Sequence, residues 1–402
     1  MQSLWYTLPV ELRSYIINYS ISEYATLLDE SEEYEKLTNP EHIWLCDHIP
    51  ELSLLSFEWA YEIRRARWVE IWLPNADKLK GFMGWSGHDR VGRMECRGLI
   101  KNIDLSWNCP PTPISAQEVT YLWKQVQKLP LMYPNLRYFG IFDAVLSTFK
   151  DDVMESFQKA SKLETLDFEM HETLIKDLSL DTITRWLGGI RSLTSLGLHL
   201  YLVNLSLSPS AVPVLNIERL ELDGCFTEQV LAQFLRLFPN VKALSLFQYG
   251  YLPDKTILPI ITDLSGQLTE LSVGFNHPSS PADLINGLLA IPMPSLTSLG
   301  LEIDEFPNIL QFMDAKMPNL QQLSFDVYET LAPLDEIEQL ALSGKFVKLK
   351  TFKIISRFPS MPFHGPPSDQ FIQLQENIPS TVTKLATKGI EFVHQIKTGM
   401  DA

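Results

Sequence analysis

Positive charge is what this sequence most lacks. Against 49 aspartates and glutamates stand 33 lysines and arginines, a formal net charge of −16. No basic cluster is longer than Arg64-Arg65-x-Arg67. A phosphate backbone or an anionic bilayer calls for a basic patch or stripe, so neither nucleic acid nor membrane is an expected partner. Cysteine is scarce too. Cys46, Cys96, Cys109 and Cys225 are scattered over 402 residues without C-x-x-C spacing. That pattern is not a disulfide framework and fits reduced thiols in an intracellular protein. No apolar run approaches the length of about 18 residues that a membrane span needs. Met1 to Tyr6 lack the basic and apolar regions of a signal peptide. The expected location is therefore the cytoplasm or the nucleus.

Motifs that carry catalysis are missing as well. Gly84-Trp85-Ser86-Gly87-His88 approaches the G-x-S-x-G of a nucleophile elbow, but its last position is His88. No apolar strand leads into it, so it reads as a loop. There is no G-x-x-x-x-G-K-[ST], H-E-x-x-H or G-x-G-x-x-G to hold phosphate, zinc or dinucleotide. His42, Cys46 and His48 are close in sequence, yet they lack a zinc spacing and a fourth ligand. The expectation is a protein that is not an enzyme, with no catalytic residue, no metal and no cofactor.

What the sequence has is a recurring apolar frame. Hydrophobic residues make up 45 % of the chain, enough to bury a sizeable core. The stretch Asn216 to Cys225 reads Ile217-x-x-Leu220-x-Leu222-x-x-Cys225, in which alternate residues share one side of a strand. The same frame starts again at Ile100, Leu136, Leu163, Leu193, Val241, Leu268, Leu296, Leu320 and Leu349, at intervals of 24 to 36 residues. Between starts lie helix-like intervals: Ser115–Leu129, Asp151–Ala160, Asp181–Leu187, Thr227–Leu237, Pro281–Leu289 and Asp335–Leu342. A strand–helix pair cannot bury both faces alone, whereas a stack of such pairs closes a continuous core.

This frame resembles the leucine-rich-repeat pattern L-x-x-L-x-L-x-x-N/C, with its period of about 20–29 residues. The resemblance implies an α/β leucine-rich-repeat solenoid, or horseshoe, with a parallel β-sheet. At the N/C position stand Asn108, Cys225 and Asn276, and elsewhere Ala144, His171, Tyr201, Tyr249, Asp304, Tyr328 and Arg357. The repeats are thus divergent, and His171 reads as a turn residue.

The N-terminal region carries a second resemblance. Leu8-Pro9-Val10-Glu11-Leu12 followed by Ile16-Ile17, and later Leu52 to Trp59, is similar to the F-box, the small α-helical module that docks on the adaptor of cullin-RING ubiquitin ligases. Between the halves lies an acidic insertion, Asp29 to Pro50, containing Glu30, Glu32, Glu33, Glu35 and Glu41. Charge runs of this kind usually form solvated faces. Taken together, the resemblances imply a member of the F-box and leucine-rich-repeat family found in fungi. Such a protein is a substrate-receptor subunit of an SCF-type ligase. Leu8, Pro9, Leu12, Ile16, Leu55 and Trp59 would then contact the adaptor, with the cullin scaffold as a further partner. The alternative is a leucine-rich-repeat interaction scaffold with no ligase role.

The frame also sorts the surface. If Leu220 and Leu222 point inward, Arg219, Glu221 and Asp223 face out, on the concave side of a horseshoe. The same offsets project Asp104, Tyr138, Phe142, Asp167, Glu169, His199, Phe247, Glu270, Glu302 and Asp326. Acidic residues with aromatic anchors suit a protein substrate of basic character. The expected organisation is residues 1–67 as the helical module with its insertion, 68–98 as a capping strand, helix and loop, 99–356 as about ten repeats, and 357–402 as a proline-rich segment and helical cap. In that cap, Phe371–Asn377 and Thr383–Ile396 are expected to be helices.

Overall fold

The structure is a computed structural model. It describes residues 69–73, 76–84, 97–106, 116–144, 151–170, 180–200, 213–224, 228–248, 254–275, 281–303, 306–328, 332–358 and 369–398. The chain divides into two compact units, Met1–Phe168 and Glu169–Ala402. Each is α/β, with parallel strands that follow one another in sequence order.

The first unit contains β1 (Glu70–Leu73), α1 (Ala76–Met83), β2 (Asn102–Ser106), α2 (Ala116–Val126), the single turn α3 (Leu129–Met132), β3 (Tyr138–Ala144) and α4 (Asp151–Phe157). It ends within β4 (Thr165–Met170). β1 pairs in parallel with β2, so the apolar run ending at Leu73 is the first of the described strands of this sheet.

The second unit contains α5 (Leu180–Gly189), β5 (Ser195–Leu200), β6 (Arg219–Gly224), α6 (Glu228–Arg236), β7 (Ala243–Gln248), α7 (Asp254–Leu264) and β8 (Glu270–Phe275). These are followed by α8 (Pro281–Ala290), β9 (Ser298–Ile303), a 3-10 helix (Ile309–Asp314) and β10 (Gln322–Tyr328). The unit closes with α9 (Leu334–Leu342), β11 (Thr351–Phe358), α10 (Asp369–Ala386) and β12 (Glu391–Thr398).

The apolar frame sets the strands. Every start from Ile100 to Leu349 is buried. In each repeat the strand begins two residues later, from Asn102 after Ile100 to Thr351 after Leu349. Register is continuous: Leu220 lies opposite Leu196 and Leu244, and Leu222 opposite Leu198 and Leu246. All of these are buried, each worth about 1.5–3 kcal/mol relative to exposure. Aromatic rings extend the same packing. Phe139 of β3 meets Phe157 of α4 at 4.6 Å between centroids. In the second unit Phe312, Phe325, Phe352 and Phe392 form a chain at 5.5, 5.8 and 6.2 Å.

Polar links join successive turns just ahead of the strands. The residue before a start reaches back to a backbone carbonyl of the preceding turn. Asn135 Nδ2 donates to Gly98 O at 2.6 Å, Asn216 to Leu193 O at 2.5 Å and Ile190 O at 3.1 Å, and Asn240 to Leu215 O at 2.7 Å. Gln267 reaches Pro239 O, Ser295 reaches Gly266 O and Asn319 reaches Pro294 O. Lys162 and Lys348 donate in turn to the Oδ1 atoms of Asn135 and Asn319. Ile190 O also accepts the Leu193 amide within its own turn; the other carbonyls gain a donor from the following repeat.

The C-terminal segment differs from the expected helical cap. α10 runs from Asp369 through Pro379 to Ala386 and stops there. Gly389, at φ +72°, then turns the chain into β12, which pairs in parallel with β11 from Glu391↔Thr351 to Thr398↔Phe358. The helix expected over Thr383–Ile396 is thus helical only to Ala386, turns, and is strand from Glu391, and strand pairing continues beyond residue 356. Its apolar residues answer to period 2: Phe392 is buried beside Phe352, while Val393 faces the other way. Two elements had no counterpart in the sequence reading. α7 carries Pro259 within it, and the 3-10 helix is a single short stretch capped by Asn308.

Candidate functional site

Residues at offsets of two, four and six from each start lie on the sheet face opposite the helices. In β6, Leu220 and Leu222 are buried, Arg219 is exposed, and Glu221 and Asp223 are half-buried. The other described strands alternate in the same sense, giving each unit a polar face.

In the first unit this face gathers a phenol between two carboxylates. Asp104 of β2 lies opposite Gly140 of β3, which presents no side chain. Tyr138, one residue pair away on the same face, extends its hydroxyl into that space. It donates to Asp167 Oδ2 at 3.5 Å and lies close enough to Asp104 to lower that carboxyl's pKa. One phenolic proton serves one carboxylate at a time. Burial pushes the Asp104 carboxyl up to about 6, with the Tyr138 hydrogen bond opposing and the charges of Asp167 and Glu70 adding to the rise. Burial beside two carboxylates also raises the Tyr138 phenol, which stays protonated. Alongside, Asn102 donates to Glu70 at 2.9 Å.

In the second unit the face carries alternating ion pairs and small residues. Arg219 reaches across Ala243, its register partner, to Glu270 two strands away at 2.7 Å. His199 Nδ1 lies 3.2 Å from Asp223 on the neighbouring strand. Arg357 holds Asp326 through two parallel hydrogen bonds of 2.7 and 2.6 Å. The fork geometry and partial burial make this the strongest ion pair described on the face. Phe247 lies over Gly274: a Cβ placed there would sit 2.6 Å from the ring and 2.9 Å from the Cβ of Glu302.

The sequence-predicted face residues therefore fall into groups. Tyr138 meets Asp167 in the first unit, and Arg219 meets Glu270 in the second. Phe247 and Glu302 converge over Gly274, and Asp223 and Asp326 are engaged by His199 and Arg357. Glu169 and Glu221 are half-buried on the same face. Phe142 holds the strand position opposite Ser106. Leu8, Pro9, Leu12, Ile16, Leu55 and Trp59 lie outside the described residues. Sequence reasoning gave Arg357 the N/C position of the last repeat and the start of the proline-rich segment, not a place on the face. β11 runs on to Phe358, so an offset of eight still faces outward, and extending the even-numbered frame by one step would have found it.

At the far strand, the inward position opposite Ile354 is His394. Its Nε2 lies 3.1 Å from Ser356 Oγ, the ring stacks on Phe392, and burial lowers its basicity so that it stays neutral. α10 is tied to α9 through Glu338, which accepts from Thr381 at 2.7 Å and Lys384 at 2.6 Å. Burial raises the Glu338 carboxyl, but these bonds outweigh it and hold it below the usual range. Among the described residues no group of histidine, cysteine or carboxylate side chains has the geometry to hold a metal ion.

Fold and face together define an α/β repeat protein with a polar, partly ion-paired sheet surface. No protein-family model matches the chain, and no curated protein matches it. Among solved structures, it is similar to a chain of the yeast Rad7–Elc1 complex, with 13 % identity and a TM-score of 0.40 over 86 % of this chain and 92 % of that one.

Proposed function

We propose that the chain is a substrate receptor of an SCF-type cullin-RING ubiquitin ligase. In this reading it is an F-box and leucine-rich-repeat protein of the cytoplasm or nucleus and is not itself an enzyme. The observation that carries the reading is the F-box-like pair Leu8 to Ile17 and Leu52 to Trp59 ahead of strand–helix repeats. Leu8, Pro9, Leu12, Ile16, Leu55 and Trp59 would bury against the adaptor, and the cullin scaffold would follow through it. The polar sheet face, with its aromatic and acidic side chains, would hold a protein substrate by a few anchor residues.

The test is capture of the full chain by purified SCF adaptor. The unmutated chain is expected to be retained, and the Pro9→Ala/Leu12→Asp double variant to be lost while its circular dichroism is unchanged. No retention of the unmutated chain would leave a leucine-rich-repeat scaffold without a ligase role.

A further inference from the structure

The three central strands of the second unit's sheet contain no basic residue: β7, β8 and β9 carry no lysine, arginine or histidine along their lengths. On their outward face stand Phe247, Glu270 and Glu302, with serines and glycines between, and Glu221 and Asp223 on the adjoining strand β6. The Phe247 ring and the Cβ of Glu302 both lie within 3 Å of one point above Gly274. They cannot be farther apart than those two distances laid end to end. Asp223 is the register partner of Phe247 on the other side, one strand spacing of about 4.8 Å away. The Phe247 ring thus packs over a glycine between two acidic residues, Glu302 on one side and Asp223, which also meets His199, on the other.

That arrangement has a definite chemistry. The face of an aromatic ring carries negative potential and attracts an ammonium or guanidinium within about 6 Å of its centroid. Carboxylates at its edge complete the complement to a cation and repel an anion. The protein already shows how a guanidinium sits here, since Arg219 crosses Ala243 to reach Glu270. We propose that the face of β6 to β9 receives an arginine- or lysine-bearing segment of a partner protein, its cation stacked on Phe247 between Asp223 and Glu302. The inference rests on the reading that this face is where the partner is held.

The experiment uses the full chain and a synthetic extended peptide carrying three arginines at alternate positions, with the same peptide bearing citrulline as the neutral control. Binding of the arginine peptide, followed by fluorescence anisotropy at physiological salt, is expected to exceed that of the citrulline peptide. Phe247→Leu keeps apolar bulk and removes the ring, and should weaken binding about two- to fivefold, whereas Phe247→Tyr should restore it. Glu302→Gln should weaken it similarly, while Asp335→Asn, an exposed acid on α9, should have no effect. Equal binding by Phe247→Leu, or equal weakening by Asp335→Asn, would mean attraction by net charge alone and would overturn the proposal. Adaptor capture measured on the same preparations separates the two readings: loss of capture with peptide discrimination intact sinks only the ligase role.

Discussion

At Tyr138 a single proton decides how two carboxylates coexist. The Asp104 carboxyl, ordinarily near 3.8, is raised to about 6 in the folded chain, so between those values the folded form binds the proton and the unfolded form does not. Its contribution to stability is complete below pH 3.8 and lost as pH rises through about 6. Above that, the Asp104 carboxylate is charged and depends on the Tyr138 hydroxyl, which also reaches Asp167. Tyr138→Phe should therefore cost about 1–3 kcal/mol at pH 7.5, the usual range for leaving a buried acceptor unsatisfied, and clearly less at pH 5. Urea unfolding at the two pH values checks this. Equal losses would mean that the hydroxyl does not act through these carboxylates.

Among elements, the turns hold more of the fold than their sequence suggests. Asn216 donates to two carbonyls of the preceding turn, and Asn216→Ala strips both. The expected loss is about 1–3 kcal/mol, read as an earlier thermal midpoint, with Asn216→Asp failing to restore it because a carboxylate cannot donate. The strands were legible because their inward leucines repeat at fixed offsets, and that frame fixed where each strand begins as well as which residues face outward. The turn links were visible too, in Tyr133-Pro134-Asn135-Leu136, Phe238-Pro239-Asn240-Val241 and Met317-Pro318-Asn319-Leu320, but a search centred on leucine passes over the residue ahead of it. β12 escaped because its inward positions hold Phe392 and His394, and Leu385 completed an apparent helical stripe. α7 was hidden by Pro259. The pairings on the face were illegible for a different reason: they depend on gaps at Gly140, Ala243 and Gly274, which matter only once the strands are in register. The F-box resemblance lies wholly outside the described residues, so no geometry bears on it.

For the molecule as a whole, two buried titrations pull in opposite directions, one in each unit. His394 is held neutral below its ordinary value of 6.5, so its contribution is complete above pH 6.5 and falls as the pH drops below it. Asp104 does the reverse. Lowering the pH from 7.5 to 5.5 should therefore raise amide protection around Tyr138 to Ile141 and lower it along Glu391 to Thr398. Hydrogen exchange corrected for its intrinsic pH dependence reads both at once, and His394→Leu should remove only the second change. Shifts of the same sign in both segments would count against these assignments.

The ties between successive turns also have a mechanical consequence. In the second unit Asn240, Gln267, Ser295 and Asn319 each reach back by a single repeat, and each strand pairs only with its neighbours in sequence. Tension along the strand order loads these ties in series, like links of equal length. The unit then lengthens by whole repeats rather than giving way at once.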